Sequence, residues 1–191
     1  MRIAPFLVLL VPIAAHADPL ADVLARARQE VGRGVEYDSS YVRLSFPGGD
    51  VAPSKGVCTD VIIRAFRAAG IDLQVKVHDD IARAPDAYTS WVKTPDSNID
   101  HRRVGPLQVY FSRHAKTIAL DDLSTYKPGD VVVISFGCKT AGPGCYPHHI
   151  GLVSDKRGPR GIPLLLHNVG PTPSEDDSLD SWTRIAHFRV L

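Results

Sequence analysis

Apolar residues recur at helical spacing in two segments of the first half of the chain. The first segment starts at Asp18-Pro19, a helix cap followed by a first-turn proline, and ends at Gly32 or Gly34. The second runs from Cys58 to Gly70, a glycine of the kind that ends helices. Its apolar face consists of Val61, Ile62, Ala65, Phe66 and Ala69. The pattern predicts two amphipathic helices, with Cys58 at or just before the first turn of the second.

The segments around these helices are predominantly polar or rich in turn residues. Residues 35–57 contain several glycines and prolines and predict turns. Residues 78–92 predict another short helical segment, broken at Pro85. Residues 93–107 predict a polar loop, which carries Asn98, Asp100, His101, Arg102 and Arg103.

The pattern changes to short apolar runs after a turn signal at residues 127–130. Four strands are predicted, at Val131–Ser135, Ile150–Ser154, Leu164–His167 and Ile185–Val190. Helices followed by strands on short connections predict an α+β fold with a small antiparallel sheet. The acidic stretch Ser174–Asp177 is interpreted as a solvated loop rather than a metal site.

The N-terminus is typical of a secretory signal peptide. Arg2 is followed by 11 apolar residues, Ile3 to Ile13, and then by an Ala-His-Ala cleavage pattern that ends at Ala17. This run is too short to span a bilayer, and the chain lacks any run of 18 apolar residues, so no transmembrane segment is predicted. We therefore expect cleavage after Ala17 and a single mature domain, residues 18–191, that is periplasmic or secreted.

Composition and charge exclude several classes of function. The 191 residues include 22 basic and 21 acidic side chains, so the chain lacks the basic excess that binds nucleic acid or anionic membranes. An apolar content of 44% is that of a globular protein rather than a disordered one. We expect a monomer without a cofactor or metal ion.

An exported chain with three cysteines has one unpaired thiol unless it bonds to another molecule. Cys138 and Cys145 flank a loop of six residues that contains two glycines and a proline, and we predict a disulfide between them. The alternative is a zinc site that includes His148 and His149. The disulfide leaves Cys58 as the free thiol.

Cys58 and two later histidines form a candidate catalytic set. A helix N-terminus favours the thiolate form of a cysteine, and its free N–H groups can stabilise an oxyanion. His149 opens one predicted strand and His167 ends another, so adjacent strands could bring both imidazoles together. One could then act as the base and the other could orient it. The alternatives are a buried structural cysteine and histidines that only make hydrogen bonds.

Several segments resemble the NlpC-type papain-like cell-wall peptidases in the same order along the chain. They are Gly34–Tyr37, Gly56–Asp60, Pro128–Val131, His149–Val153 and Leu166–Asn168. The longer stretches around Cys58, Asp100 and His149 more closely resemble the domain-of-unknown-function family 1287, which is grouped with that fold. The resemblance extends from about Asp22 to the end of the chain. It implies a circularly permuted papain-like fold with a helix-borne cysteine packed on a small antiparallel sheet.

The resemblance also implies roles for individual residues. Cys58 matches the nucleophile, His149 the general base and His167 the group that orients this base. Tyr37 falls where many members have a tyrosine near the oxyanion site. The usual Asp-Cys-Ser-Gly is here Val57-Cys58-Thr59-Asp60, which adds a carboxylate. Asp60 could bind a substrate amino group or serve as a first-turn helix carboxylate.

A second group of polar residues is a candidate for substrate binding. Arg102 and Arg103 could hold carboxylates of a peptide through their guanidinium groups, and His148 could contribute beside His149. The alternative is a solvated loop or a structural salt bridge.

The sequence therefore predicts an exported cysteine peptidase or amidase that acts on peptidoglycan peptides. One alternative is an acyl or peptidyl transferase that uses the same triad. Another is a non-catalytic module that binds cell-wall peptides.

Overall fold

A computed structural model describes residues 18–191, and the predicted signal peptide lies outside these residues. The described helices are α1 (Pro19–Arg33), α2 (Cys58–Ala68), α3 (Leu73–Arg83) and α4 (Val104–His114). The strands are β1 (Glu36–Tyr37), β2 (Lys55–Gly56), β3 (Lys116–Thr117), β4 (Val131–Ser135), β5 (His149–Arg157), β6 (Pro163–His167), β7 (Ser174–Asp176) and β8 (Thr183–Arg189). No helix within residues 18–191 is long and apolar enough to cross a membrane.

The main sheet has six strands in the order β3-β8-β4-β5-β6-β7, and every neighbouring pair is antiparallel. The two short strands β1 and β2 form a separate parallel pair just before α2. The predicted α+β class with an antiparallel sheet is confirmed. All four predicted strands are present, with small shifts at their ends.

The sheet is buried on both faces, as alternate residues of β4 show. Val131 and Val133 belong to the larger apolar cluster, which also contains α1, α2, α3 and α4 residues. Val132 and Ile134 belong to a second cluster on the opposite face, together with Tyr126. Burial on both faces explains why β4 is continuously apolar rather than alternating.

Local sequence signals determine the ends of the first two helices. The Asp18 carboxylate accepts a hydrogen bond from the Leu20 N–H at 3.1 Å, and Gly34 ends α1 with φ of 61°. Gly70 follows α2 with φ of 78°. Both helices therefore lie where the sequence predicts them.

One prediction in the middle of the chain is correct in part and another is wrong. Residues 78–92 are partly helical with a break before Pro85, as predicted, but the helix starts earlier, at Leu73, where the Asp72 carboxylate caps it by accepting from Gln74 N–H at 3.0 Å. The predicted loop at 93–107 contains a three-residue 3-10 helix and then the start of α4. Gly105 and Pro106 weaken the helical signal there, but both lie in the first turn, where proline costs little.

The interpretation of residues 174–177 as a solvated loop is also wrong. Residues Ser174–Asp176 form the edge strand β7, which pairs with β6. Glu175 accepts hydrogen bonds from Arg28 on α1 at 2.8 Å and from Lys156 at 2.8 Å. Three residues are too few to show the alternating pattern of a strand, and the acidic side chains are more typical of a loop.

Candidate active site

Cys58 is the first residue of α2, and the segment before it is fixed by hydrogen bonds. The Asp60 carboxylate accepts from the Val57 N–H at 2.7 Å, so it closes the first turn of the helix. The Asn168 side chain donates to the Gly56 carbonyl at 3.3 Å, which ties the end of β6 to the approach to α2. The Cys58 side chain is buried, with 5% of the residue exposed. The Asp60 and Asn168 hydrogen bonds together hold the Cys58 thiol against the sheet.

Burial controls the ionisation of Cys58. It raises the pKa of the thiol to about 12, and the charge of Asp60 adds to the shift. Backbone N–H groups of Ile150, Thr59 and Cys58 itself face the sulfur and oppose the shift. The helix N-terminus therefore does not produce a resting thiolate. Contact with Ile150 places the sulfur beside the residue that follows His149.

His149 opens β5, opposite Ile134 of β4, and its ring is buried. Its Nε2 lies 2.8 Å from Nδ1 of His167, the last residue of β6. No other hydrogen bond to the His149 ring occurs among residues 18–191, so its Nδ1 remains available. Burial and then the nearby His167 lower the pKa of His149 to about 3. The imidazole is therefore neutral at neutral pH.

The partners of His167 assign the tautomers of both rings. Nε2 of His167 lies 3.2 Å from the Asp176 carboxylate, an acceptor, and Ser174 and Ser178 lie at 3.2 and 3.1 Å. The proton of neutral His167 is therefore assigned to Nε2, and its Nδ1 must accept. It follows that His149 carries its proton on Nε2 and a lone pair on Nδ1. That lone pair is what a general base requires.

Asp176 is ionised in this chain of groups. Burial alone would raise its pKa, but hydrogen bonds from Ser178 and Ser174 and the proximity of His167 lower it overall. Burial also lowers the pKa of His167, against the attraction of Asp176. Asp176 and Ser178 were not predicted as site residues. The only sequence signal for Asp176 was the acidic stretch, whose link to His167 depends on the pairing of β6 with β7.

Two aromatic side chains cover the histidine pair. The Phe136 ring stacks on His149 with 5.7 Å between centroids, and Trp182 lies edge-on to Phe136 at 5.3 Å. The Trp182 centroid is 6.2 Å from that of His149 and 6.0 Å from that of His167. These rings exclude water from the His149–His167 hydrogen bond. Neither was predicted, because no local pattern links them to the histidines.

Tyr37 lies near Cys58, as the resemblance implies. It pairs with Gly56 in the β1–β2 ladder, two residues before Cys58. Partial burial, and then the charges of Cys58 and Asp60, raise its pKa. The residue is 42% exposed, so its ring is accessible to a ligand beside the thiol.

Asp60 and Arg102 form a buried ion pair with each other. Arg102 Nε and Nη2 donate to the two Asp60 oxygens at 2.9 Å each, and both side chains are about 3% exposed or less. Thr59 Oγ1 donates to the Arg102 carbonyl at 2.9 Å. Of the roles left open for Asp60, the structure shows the first-turn carboxylate. Substrate contacts of either residue stay predictions, and they would compete with this pair.

Arg103 and His148, in contrast, are exposed. The Arg103 guanidinium is 54% exposed and lies 3.9 Å from Asp100, beyond hydrogen-bond distance. His148 Nδ1 accepts from the Phe136 N–H at 3.2 Å. Both residues line a cleft of about 440 Å³ that also includes Trp91 and Tyr146. Arg103 and His148 are therefore available to a substrate.

The predicted disulfide is confirmed. Cys138 is bonded to Cys145, with 5.9 Å between their Cα atoms. The alternative zinc site is wrong for these two cysteines, because their sulfurs are bonded to each other. Cys58 is the free cysteine.

Comparison with known proteins identifies the family. Residues 24–190 match the family described as "Domain of unknown function (DUF1287)", a range that contains every site residue described above. The chain is also 45% identical over 168 residues to "Uncharacterized protein YijF" of Escherichia coli (strain K12). This alignment covers 86% of the present chain and 78% of that protein. The chain therefore belongs to the DUF1287 family.

Proposed function

We propose that this protein is an exported cysteine hydrolase of the NlpC-type papain-like fold, which cleaves an amide bond in peptidoglycan peptides. The observation that carries the proposal is the His149–His167 hydrogen bond of 2.8 Å beside the start of α2, where Cys58 lies. A helix-borne thiol, a base on one strand and an orienting group on the next are the parts that this chemistry needs.

The first step transfers the Cys58 proton to His149 Nδ1. Burial disfavours each charge by itself, but the transfer creates thiolate and imidazolium together, and their attraction offsets part of this cost. The His149 Nε2–H then donates to His167, and Asp176 stabilises the positive charge through His167. We expect this transfer during attack on the substrate rather than in the resting enzyme.

The sulfur attacks the amide carbonyl carbon, and a tetrahedral oxyanion forms. The backbone N–H groups that face the Cys58 sulfur are well placed to stabilise this oxyanion, and Tyr37 lies on the accessible side. His149 returns its proton to the leaving amine as the C–N bond breaks. Water, activated by the same imidazole, then hydrolyses the thioester and restores the thiol.

The substrate class rests on the resemblance to cell-wall peptidases and on the predicted signal peptide. Peptidoglycan peptides carry several carboxylates, and exposed Arg103 lies beside the site. Two bonds are candidates, the γ-D-glutamyl to diamino acid bond and the N-acetylmuramoyl to L-alanine amide.

Digestion of purified sacculi tests the proposal. The mature protein, residues 18–191, should release soluble muropeptides whose masses identify the cleaved bond. Cys58→Ala and His149→Gln should release none above background. His114→Gln is the matched control, because this exposed histidine lies at the end of α4 and bonds to Asp80. Equal release by Cys58→Ala, or no release by any form, would refute the proposal.

A further inference from the structure

The cleft that Arg103 and His148 line lies beside His149, the proposed general base. Its lining includes Trp91 and Tyr146, whose rings meet edge-on at 5.4 Å, and Tyr146 also meets His148 at 4.9 Å. Tyr146 is 58% exposed, the highest value among the large apolar side chains of the described chain. A volume of about 440 Å³ is within the range of small-molecule sites.

Residues that line the cleft border the proposed catalytic site on two sides. Phe136 stacks on both His148 and His149, at 5.6 and 5.7 Å, so it joins the cleft to the base. Arg103 lines this cleft and also a smaller one of about 310 Å³ whose lining includes Val57, the residue before Cys58. A ligand in the cleft would therefore lie next to the residues that flank His149 and Cys58.

The walls of the cleft are held in place before any ligand binds. Trp91 lies against α4 at Gly105, where an added Cβ would come within 2.3 Å of the indole. Only glycine allows this approach. Tyr146 directly follows Cys145, so the Cys138–Cys145 disulfide restrains the segment that carries it. Pre-formed walls reduce the entropy cost of binding.

The chemistry of the lining indicates the ligand. Two aromatic rings offer apolar faces, and they are surrounded by hydrogen-bonding groups of Ser90, His148 and Arg103. A pyranose ring has the complementary surface, with apolar C–H faces and a polar rim. Arg103, which makes no hydrogen bond to a carboxylate within residues 18–191, adds a site for an anion.

We propose that this cleft binds the saccharide of a glycan-linked peptide, with its ring against Tyr146 and Trp91 and a peptide carboxylate on Arg103. The identity of the ligand rests on the proposed function. The inference goes beyond it, since it makes the sugar part of the recognised substrate. It favours cleavage close to the glycan over cleavage of free peptides.

Calorimetric binding to the Cys58→Ala protein tests the inference without turnover. The probes are a disaccharide tripeptide, N-acetylglucosaminyl-N-acetylmuramyl-L-Ala-γ-D-Glu-diaminopimelate, and the same tripeptide without sugar. We expect the sugar to strengthen binding about tenfold, which is the size of one aromatic contact. Tyr146→Ala should remove this difference, and Arg103→Gln should weaken both probes.

Two matched variants serve as controls. Arg33 matches Arg103, because it is 52% exposed and lies 3.8 Å from Glu30, a buried carboxylate three residues earlier. Arg33 does not line the cleft, so Arg33→Gln should bind both probes like the parent. Phe46 is 45% exposed and meets a histidine edge-on outside the cleft, so Phe46→Ala should also bind normally.

Three outcomes would overturn the inference. These are equal affinity for the two probes, a sugar effect that survives Tyr146→Ala, and no binding of either probe. The two proposals can fail separately. Sugar binding without Cys58-dependent hydrolysis would refute the proposed function and support the saccharide site. Cys58-dependent hydrolysis without a sugar effect on binding would support the proposed function and refute the saccharide site.

Discussion

His149 Nε2 lies 2.8 Å from His167 Nδ1, and His167 Nε2 lies 3.2 Å from the Asp176 carboxylate. Because the Asp176 carboxylate can only accept, this series of contacts assigns the proton positions of both imidazole rings. It leaves His149 with its lone pair on Nδ1, which is the nitrogen not occupied by His167. In the proposed mechanism Asp176 is thus a positioning residue that acts on His149 through His167.

Replacing Asp176 by asparagine tests this assignment. The amide can donate to His167 Nε2, which would move the His167 proton to Nδ1 and leave His149 Nε2 without an acceptor. We expect kcat to fall about tenfold to a hundredfold with KM nearly unchanged. General base catalysis accelerates a reaction by a factor of ~10²–10⁴, and the variant removes only part of it. The pH profile of kcat should shift as well.

Asp177→Asn is the control for that change. Asp177 is the next residue and pairs with Arg160 at the surface, so its loss should leave kcat and the pH profile unaltered. If Asp176→Asn and Asp177→Asn behaved alike, the tautomer argument would be wrong.

The buried thiol should react slowly at neutral pH. Burial raises the pKa of Cys58 to about 12, so iodoacetamide alkylation should increase with pH well beyond the usual cysteine range of about 8.5. The Cys138–Cys145 bond must be left intact, so that Cys58 is the thiol that is measured. A rate plateau below pH 7 would show that His149 already holds the Cys58 proton in the free protein.

The two adjacent arginines should differ in their effect on stability. Arg102→Gln leaves the buried Asp60 carboxylate without its bidentate partner, and we expect it to lower the free energy of unfolding by about 3–5 kcal/mol. Arg103→Gln should change it by less than about 1 kcal/mol, since that side chain is exposed. Urea denaturation measures both. Similar effects of the two variants would contradict the structural role of Arg102.

Acidification should destabilise the protein through its buried neutral histidines. Burial lowers the pKa of His149 to about 3 and that of His101 to about 4. Between these values and about 6.5 the unfolded chain binds protons that the folded chain does not, so stability falls as pH falls through this window. We expect a loss of about 2 kcal/mol per histidine between pH 7 and pH 5. Asp100, whose pKa burial raises, opposes this trend.

Urea denaturation at several pH values between 7 and 5 measures this dependence. Carboxylates with lowered pKa values lose their contribution mainly below this range, so the window isolates the histidines. His101→Gln should reduce the slope, and the remainder should come from His149 and from His167, whose pKa burial also lowers. A flat profile in the wild-type protein would contradict the neutral state of the buried imidazoles.

Local signals in the sequence were sufficient to place Cys58, His149 and His167 on their elements. Apolar residues at helical spacing and a closing glycine delimited α2, and apolar runs delimited β5 and β6. The sequence could not show that Asp176 meets His167, because that contact depends on the register of a three-residue edge strand. It also could not show that Arg102 forms an ion pair with Asp60, since 42 residues separate the two partners. Contacts between distant segments decided which polar residues serve the fold and which are available to a ligand.

The most direct test of the proposed acyl intermediate is the mass of the protein after mixing with substrate. The mature protein is mixed with the disaccharide tripeptide and quenched in acid, and peptide mapping locates any adduct. We expect a thioester-linked substrate fragment on Cys58, lost on treatment with hydroxylamine and absent from Cys58→Ala. Turnover without an adduct on Cys58, undiminished in Cys58→Ala, would contradict the account.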